Sequence, residues 1–172
     1  MPGAGKGEAV RICSQEGIPW VRMGDLVWEE TQRRGLPLND ENVGAVASEM
    51  RETEGGDVWA RRTIDRIERI TDDTVAIDGV RNWEEVETFQ RTFPRFTLVA
   101  IHASARTRCE RILGRGRSDD PASLDRFHHR DEREMGWGIG KAIERADVAI
   151  ENEGSLEELE EKVKRIIDWE RK

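Results

Sequence analysis

Cysteine is scarce: Cys13 and Cys109 are the two thiols in 172 residues, and their spacing matches no metal-ligand pattern. So few thiols exclude a disulfide framework, and a reducing, cytoplasmic location is the expectation. No apolar run approaches the roughly 20 residues that cross a bilayer, and no secretory signal precedes the first motif, so no membrane partner is expected. Repeats and low-complexity segments are also missing. Cations are in deficit, with 28 Lys and Arg against 36 Asp and Glu and a net charge of −8. That balance argues against a general nucleic-acid binder. What remains is a chain long enough to bury a core without staples, read as one domain over residues 1–172. Among its cations arginine greatly outnumbers lysine. Such a bias supplies forked donors suited to phosphates, although for surface arginines codon bias in a GC-rich genome is the favoured account.

Short apolar runs alternate with amphipathic stretches, the pattern of an α/β protein with a parallel sheet. A first helix is predicted from Gly7 or Glu8 to Glu16, stopped by Gly17, followed by a strand over Ile18–Met23. Gly24-Asp25 opens a helix ending near Gly35, with Asp25 a candidate N-cap. Asn39 or Asp40 caps the next, whose Val43, Val46, Ala47 and Met50 recur at helical spacing. After the break at Gly55-Gly56-Asp57, Val58–Ile70 reads as helix and Thr74–Ile77 as a buried strand ending at Asp78-Gly79. A helix over Trp83–Phe93 leads to a strand over Phe96–Ile101. The arginine-rich 104–133 segment is interrupted around Gly114–Pro121, and Asp147–Ile150 is the last strand. Ser155 and Glu158 form a capping box for a helix that turns Leu156, Leu159, Val163, Ile166 and Ile167 to the core.

The firmest motif is also the first. Pro2-Gly3-Ala4-Gly5-Lys6-Gly7-Glu8 has the composition of a P-loop. Gly3, Gly5 and Gly7 let the backbone turn with its amides inward, and those amides plus the following helix N-terminus make an anion nest. Lys6 is then placed to reach the β- and γ-phosphates of a nucleoside triphosphate. Gly7 and Glu8 stand where the motif asks for a hydroxyl. Glu8 reads equally as a bridge to Mg²⁺ or as a carboxylate favoured at a helix start. A P-loop also needs a strand before it, and none precedes Met1 in this sequence. The expectation is therefore that the first strand is missing, that Met1 is internal to a longer reading frame, and that an apolar run of about five residues ending in Gly lies upstream. A truncated product that folds poorly is the alternative.

Pro2-Gly-Ala-Gly-Lys-Gly7 resembles the P-loop of adenylate kinases, in which Gly also follows Lys. Met23-Gly-Asp-Leu26 resembles the start of their acceptor-nucleotide helix, Asp78-Gly-Val-Arg81 their strand-end turn, and Arg117-Ser-Asp-Asp120 the close of their lid. Ala146–Ser155 is more similar to dephospho-CoA kinases. With Arg130–Glu134 and Trp137–Gly140 added, nearly the whole chain resembles an archaeal family of adenylate-kinase-like or dephospho-CoA-kinase-like P-loop proteins. The resemblance implies a three-layer P-loop kinase fold with five parallel strands, acceptor-side helices over 24–70 and an arginine-rich lid over about 111–134. It also implies an ATP site served by Mg²⁺, with Asn152 and Gly154 bordering the adenine, and leaves the small-molecule phosphate acceptor open. Trp28 stands where adenylate kinases carry an acceptor-binding arginine, which weakens AMP as that acceptor more than ATP as donor.

Other candidates follow from chemistry. Arg111, Arg115 and Arg117 are spaced to converge on a transferring phosphoryl group, with an exposed basic face as the plain alternative. Asp78 at a strand's C-terminal edge suits Mg²⁺ or an acceptor hydroxyl, or else merely starts a turn. Arg81 suits an acceptor phosphate, and one of Arg61 and Arg62 is expected to face the cleft. His128 and His129 are adjacent, a poor metal pair, and His102 ends a strand. Trp28 and Trp59 read either as lining a ring pocket or, more simply, as core. The function expected is an ATP-dependent phosphotransferase, with a regulatory ATPase switch as the competing class.

Overall fold

The computed structural model describes residues 1–115 and 123–171, the side chain of Arg115 excepted. Their order is α1 (Lys6–Gln15), β1 (Trp20–Arg22), α2 (Met23–Arg33), α3 (Asp40–Glu54), α4 (Val58–Ile67), β2 (Ala76–Asp78) and α5 (Trp83–Thr92). There follow β3 (Val99–His102), α6 (Ala105–Arg115), α7 (Leu124–Gly136), α8 (Ile139–Glu144), β4 (Val148–Glu151) and α9 (Leu156–Glu170). Helix starts are set by short polar side chains that accept an otherwise orphaned amide. Asn39 accepts from Asn42, Asn82 from Glu85 (2.8 Å each), Ser123 from Arg126 and Ser155 from Glu158. Gly17, at φ 78°, ends α1 as expected.

The architecture is α/β with parallel strands, the fold class of a P-loop kinase. β1 pairs with β2, Val21 opposite Ile77, and β3 with β4, Ile101 opposite Ile150. These four strands form two two-stranded sheets rather than the single five-stranded sheet that the resemblance implies. The apolar core is divided in the same way. Met23, Leu26, Met50, Trp59 and Phe89 centre one cluster, built by α2 to α5. Ile12, Ile150, Leu159, Val163 and Ile167 centre the other, built by α1, β4 and α9.

Several boundaries differ from the expected ones for local reasons. β1 is shorter because Met23 already opens α2. α4 stops at Ile67. β3 starts late because the Leu98 amide donates to the Asp147 carboxylate (2.7 Å), while Phe96 packs on Phe89 with ring centroids 5.9 Å apart. Leu156 is 44% exposed and does not join the core. The N-cap of α2 is Arg22, so Asp25 lies in the first turn and pairs with Arg22. Trp59 belongs to the core: it is fully buried, and its indole N–H points at the Ala47 carbonyl (3.3 Å). Trp28 lies under the Arg22 guanidinium, 5.1 Å from its ring centre. No described helix is long and apolar enough to cross a membrane.

Burial sets the cost of truncation. Trp59→Ala is expected to lower the unfolding free energy by about 3–5 kcal/mol. Trp169→Ala, at a side chain 61% exposed, should change it by less than about 0.5 kcal/mol. Urea unfolding followed by circular dichroism compares the two.

Candidate active site

The loop ahead of α1 is shaped by two glycines in the left-handed region, Gly3 at φ 76° and Gly5 at φ 106°. Packing requires glycine there as well as dihedral preference. A Cβ on Gly3 would lie 2.6 Å from the Arg108 carbonyl oxygen, and one on Gly5 would collide with the Asn152 amide. Asn152 supports the loop from below: its Nδ2 donates to the Ala4 carbonyl (2.9 Å), and its backbone N–H to His102 (2.8 Å). Ala4 is fully buried. The Glu8 amide donates to the Gly5 carbonyl (3.0 Å), whereas the Lys6 and Gly7 amides at the head of α1 have no carbonyl behind them within the helix, which leaves them for an anion.

Arg108 holds the loop from the other side. Its buried guanidinium donates to the carbonyls of Pro2 and Ala103 (3.2 Å each) and forms a two-pronged pair with Asp131 of α7, Nη1 to Oδ1 at 2.8 Å. Phe127 lies beneath it, 5.1 Å from ring centre to guanidinium carbon. One side chain thus joins the end of β3, the loop and α7.

Lys6 of the loop, Asp78 from the end of β2, Arg81 from the following turn, and Arg130 and Glu134 of α7 form one charged cleft. Gly79, at φ 113° against Met23, makes the turn that carries Arg81 back to it. Glu85 fixes that turn by accepting from the Arg81 amide (2.6 Å) while paired with Arg51 (2.9 Å). Arg81 Nε lies 3.2 Å from Glu134 Oε2, and Arg130 Nε 3.5 Å from Glu134 Oε1. The Lys6 ammonium donates to the Met1 carbonyl (2.7 Å). Burial, and next the Arg81 charge, push Lys6 down to about 8 although Asp78 and Glu134 pull the other way. Burial pushes the Glu134 carboxyl up, but Arg81, Lys6 and Arg130 together outweigh it and hold that carboxyl below its usual range.

A second set of contacts ties α7 to α3. Arg133 forks onto Asp40 (2.8 and 3.1 Å), crossing α3 where Gly44 leaves room; a Cβ there would lie 2.7 Å from the guanidinium carbon. Trp137 is flanked by Arg51 and Arg133, 4.5 and 5.6 Å from its ring centre, and donates to Ser48 (3.0 Å).

Of the residues singled out in the sequence, the structure brings Lys6, Asp78 and Arg81 together beside the loop glycines. Others lie elsewhere. Glu8 turns outward and pairs with Arg11 (2.8 Å), because position three of α1 faces solvent. Asp25 is held by Arg22 in a separate shallow depression shared with Trp20 and Arg66. Arg61 pairs with Asp57, and Arg62 reaches Glu30 and Glu54 (3.3 and 3.4 Å), so neither serves the cleft. The Asn152 side chain lies beneath the loop, and Gly154 packs on Glu158 at the head of α9. Arg111, half-buried on α6, has a guanidinium nitrogen without a hydrogen-bond partner among the described residues. Arg117, Asp119, Asp120 and the Arg115 side chain lie outside the described residues. Nor do three His, Cys, Asp or Glu side chains gather as a metal cluster among those described. Arg108, Arg133 and Glu134 were not singled out individually. The one available signal was the i,i+4 spacing of Arg130 and Glu134, which ordinarily marks an exposed helix pair.

A protein-family profile described as an AAA domain matches residues 1–127. The chain is 46% identical over 167 residues to a UPF0200 protein of Methanoculleus marisnigri, spanning 97% of this chain and 91% of the relative. It is 44% identical to one of Methanosarcina mazei (97% and 90%) and 40% identical to one of Thermococcus sibiricus (98% and 90%). The profile and the loop agree on a P-loop nucleotide-binding domain.

Gly5→Ala tests the loop. Gly17 has a similar positive φ but open space around it, so Gly17→Ala incurs only backbone strain of roughly 1–2 kcal/mol. Gly5→Ala adds the collision with Asn152, and should lower the melting midpoint further and weaken nucleoside-triphosphate binding at least about tenfold. Calorimetric titration of both variants gives the comparison.

Proposed function

The chain belongs to the UPF0200 family of archaeal P-loop proteins, and from that premise we propose that it transfers the γ-phosphoryl group of ATP to a phosphorylated small molecule, a nucleotide or a dephospho-CoA-like acceptor. The observation that carries this reading is the presence of two cationic groups on one cleft. The loop amides and Lys6 suit the donor's phosphates, while Arg81 and Arg130, held by Glu134 at 3.2 and 3.5 Å, suit a phosphate on the acceptor. Hydrolysis alone needs the first group and not the second.

In this reading Lys6 leaves the Met1 carbonyl for the β- and γ-phosphate oxygens. Asp78 orients the acceptor oxygen or would hold Mg²⁺ through water, where the ion would offset the negative charge of the triphosphate. Arg111, Arg115 and Arg117 clamp the transferring group, whose charge spreads over three oxygens, and α2 to α4 cover the acceptor. Closure of these elements excludes the water that would otherwise take the phosphoryl group. The competing reading, a regulatory ATPase switch, is favoured by one feature: Gly7 offers no hydroxyl to the metal.

Product analysis separates the two. With Mg-ATP and a panel of nucleoside monophosphates and dephospho-CoA, one acceptor should become phosphorylated. Lys6→Ala should lower turnover by about 10²–10³-fold. Arg81→Ala should raise the KM of the acceptor and leave that of ATP nearly unchanged. Phosphate release with no phosphorylated acceptor overturns the phosphotransferase reading.

The lowered Lys6 value gives a pH signature. An ammonium must be charged to hold phosphate, so ATP affinity should be level below pH 8 and weaken as pH rises above it. Lys6→Arg should flatten the profile between pH 7 and 9.5.

A further inference from the structure

Glu134 is a buried acid in a cleft built for anions, and its bonding is incomplete. Its Oε2 has no hydrogen-bond donor among the described residues, although Arg81 Nε stands only 3.2 Å away. Charge brings the two groups together, but the N–H is not aligned on the oxygen. A buried oxygen in that position carries a desolvation penalty, so this is an ion pair that breaks at low cost. The acid is nonetheless ionised at neutral pH: burial pushes the carboxyl up, but Arg81, Lys6 and Arg130 outweigh it.

The two arginines beside it are anchored differently. Arg130 lies one turn before Glu134 on α7, and its Nε is also 3.7 Å from Asp40 of α3. That helical spacing keeps it beside the carboxylate when the cleft fills. Arg81 comes from another element. Its amide donates to Glu85 and its Nη1 to the Val80 carbonyl (3.1 Å), while Nε is the group turned to Glu134. Arg81 is thus the member of the set that can change partner, and Glu134 keeps Arg130 when it does, so no buried charge is stranded.

We propose that Glu134 is a specificity-determining residue: its carboxylate is an internal competitor that withholds Arg81 from free orthophosphate and yields it to a phosphate carried by an anchored ligand. The inference rests on the reading of this cleft as the seat of a phosphorylated acceptor. A carboxylate tethered within the cleft acts at an effective concentration of roughly millimolar or more, which a free anion must exceed. An acceptor whose body lies under α2 to α4 brings its phosphate on a tether of its own and competes on equal terms. Its phosphate also offers more oxygens and more charge than the carboxylate. As product leaves, Glu134 retakes Arg81, so release is faster with the carboxylate than without it.

Orthophosphate titrations followed by calorimetry, with Mg-ADP filling the loop, test this without any turnover. Glu134→Gln should bind orthophosphate at least about tenfold more tightly than the wild type. Glu134→Asp, which draws the carboxylate back by one methylene, should gain about threefold. Adding Arg81→Ala to Glu134→Gln should abolish the gain. Glu132→Gln removes the same charge from an exposed position of α7 and should change orthophosphate binding by less than about twofold. With an acceptor identified by product analysis, orthophosphate should compete with it only after Glu134→Gln, and that variant should lower both the acceptor's KM and kcat. Equal orthophosphate affinity in the wild type and Glu134→Gln overturns the proposal. So does a gain that survives Arg81→Ala or is matched by Glu132→Gln. If Glu134→Gln does not fold, Glu134→Asp decides by the same comparison. A gain that depends on Arg81, in a protein that releases phosphate and phosphorylates no acceptor, supports the internal competitor and overturns the phosphotransferase reading alone.

Discussion

The site depends on how one buried cation is satisfied. The Arg108 guanidinium cannot be hydrated where it lies, so every donor it leaves unpaired carries a desolvation penalty. It meets that demand with the carbonyls of Pro2 and Ala103 and both oxygens of Asp131. Those partners belong to three separate parts of the chain, and satisfying the charge fixes their relative positions. Because Asp131 lies on α7, the same bond places Arg130 one residue before it and Glu134 three after it over Lys6. A carboxamide does the matching work beneath the loop, through Asn152 and Ala4. The loop glycines are then required by contact with these two supports as much as by their own dihedral angles.

The cleft so formed holds its charges close to balance. Lys6, Arg81 and Arg130 face Asp78 and Glu134; burial, and next the Arg81 charge, lower Lys6, while Arg81, Lys6 and Arg130 overcome burial to hold the Glu134 carboxyl down. A carboxylate among several cations is a modest stand-in for a phosphate, since it carries one charge and two acceptor oxygens where a phosphate carries more of both. An arriving phosphate would therefore compete with Glu134 for the same guanidinium groups. Preformed donors of this kind cost little reorganisation when an anion enters.

Much of this was legible in the sequence, for identifiable reasons. Loop composition exposed the phosphate cradle because only glycine accepts its dihedrals and contacts. Apolar spacing located the helices, and the Asp78-Gly79 turn located the strand end that carries Arg81. What escaped were residues whose role is set by distant partners. Arg108 and Asp131 are 23 positions apart. Arg133 reaches Asp40 across 93 positions and past Gly44, a glycine that looks like a helix weakness until its neighbour is known. Asp25 misled in the opposite direction, because local pairing with Arg22 outcompeted any role in the cleft. Leu156 fits the helical period yet is the first residue of α9 and lies exposed, beyond the reach of the core. The division of the four strands into two two-stranded sheets departs from the single sheet that the resemblance implies.

The clasp around Trp137 has a consequence for communication across the molecule. The indole joins Ser48 and Arg51 of α3 to Arg133 of α7, and Arg133 in turn grips Asp40. α7 bears on the nucleotide loop, whereas α3 belongs to the helical layer on the other side of the cleft. If the spacing of these two helices differs between the free and the nucleotide-bound loop, a ligand that favours one spacing would alter the affinity of the loop for its own ligand. Thermodynamic reciprocity makes the two effects equal in size. Trp137, held between two arginines, and the Arg133–Asp40 pair together join α3 to α7.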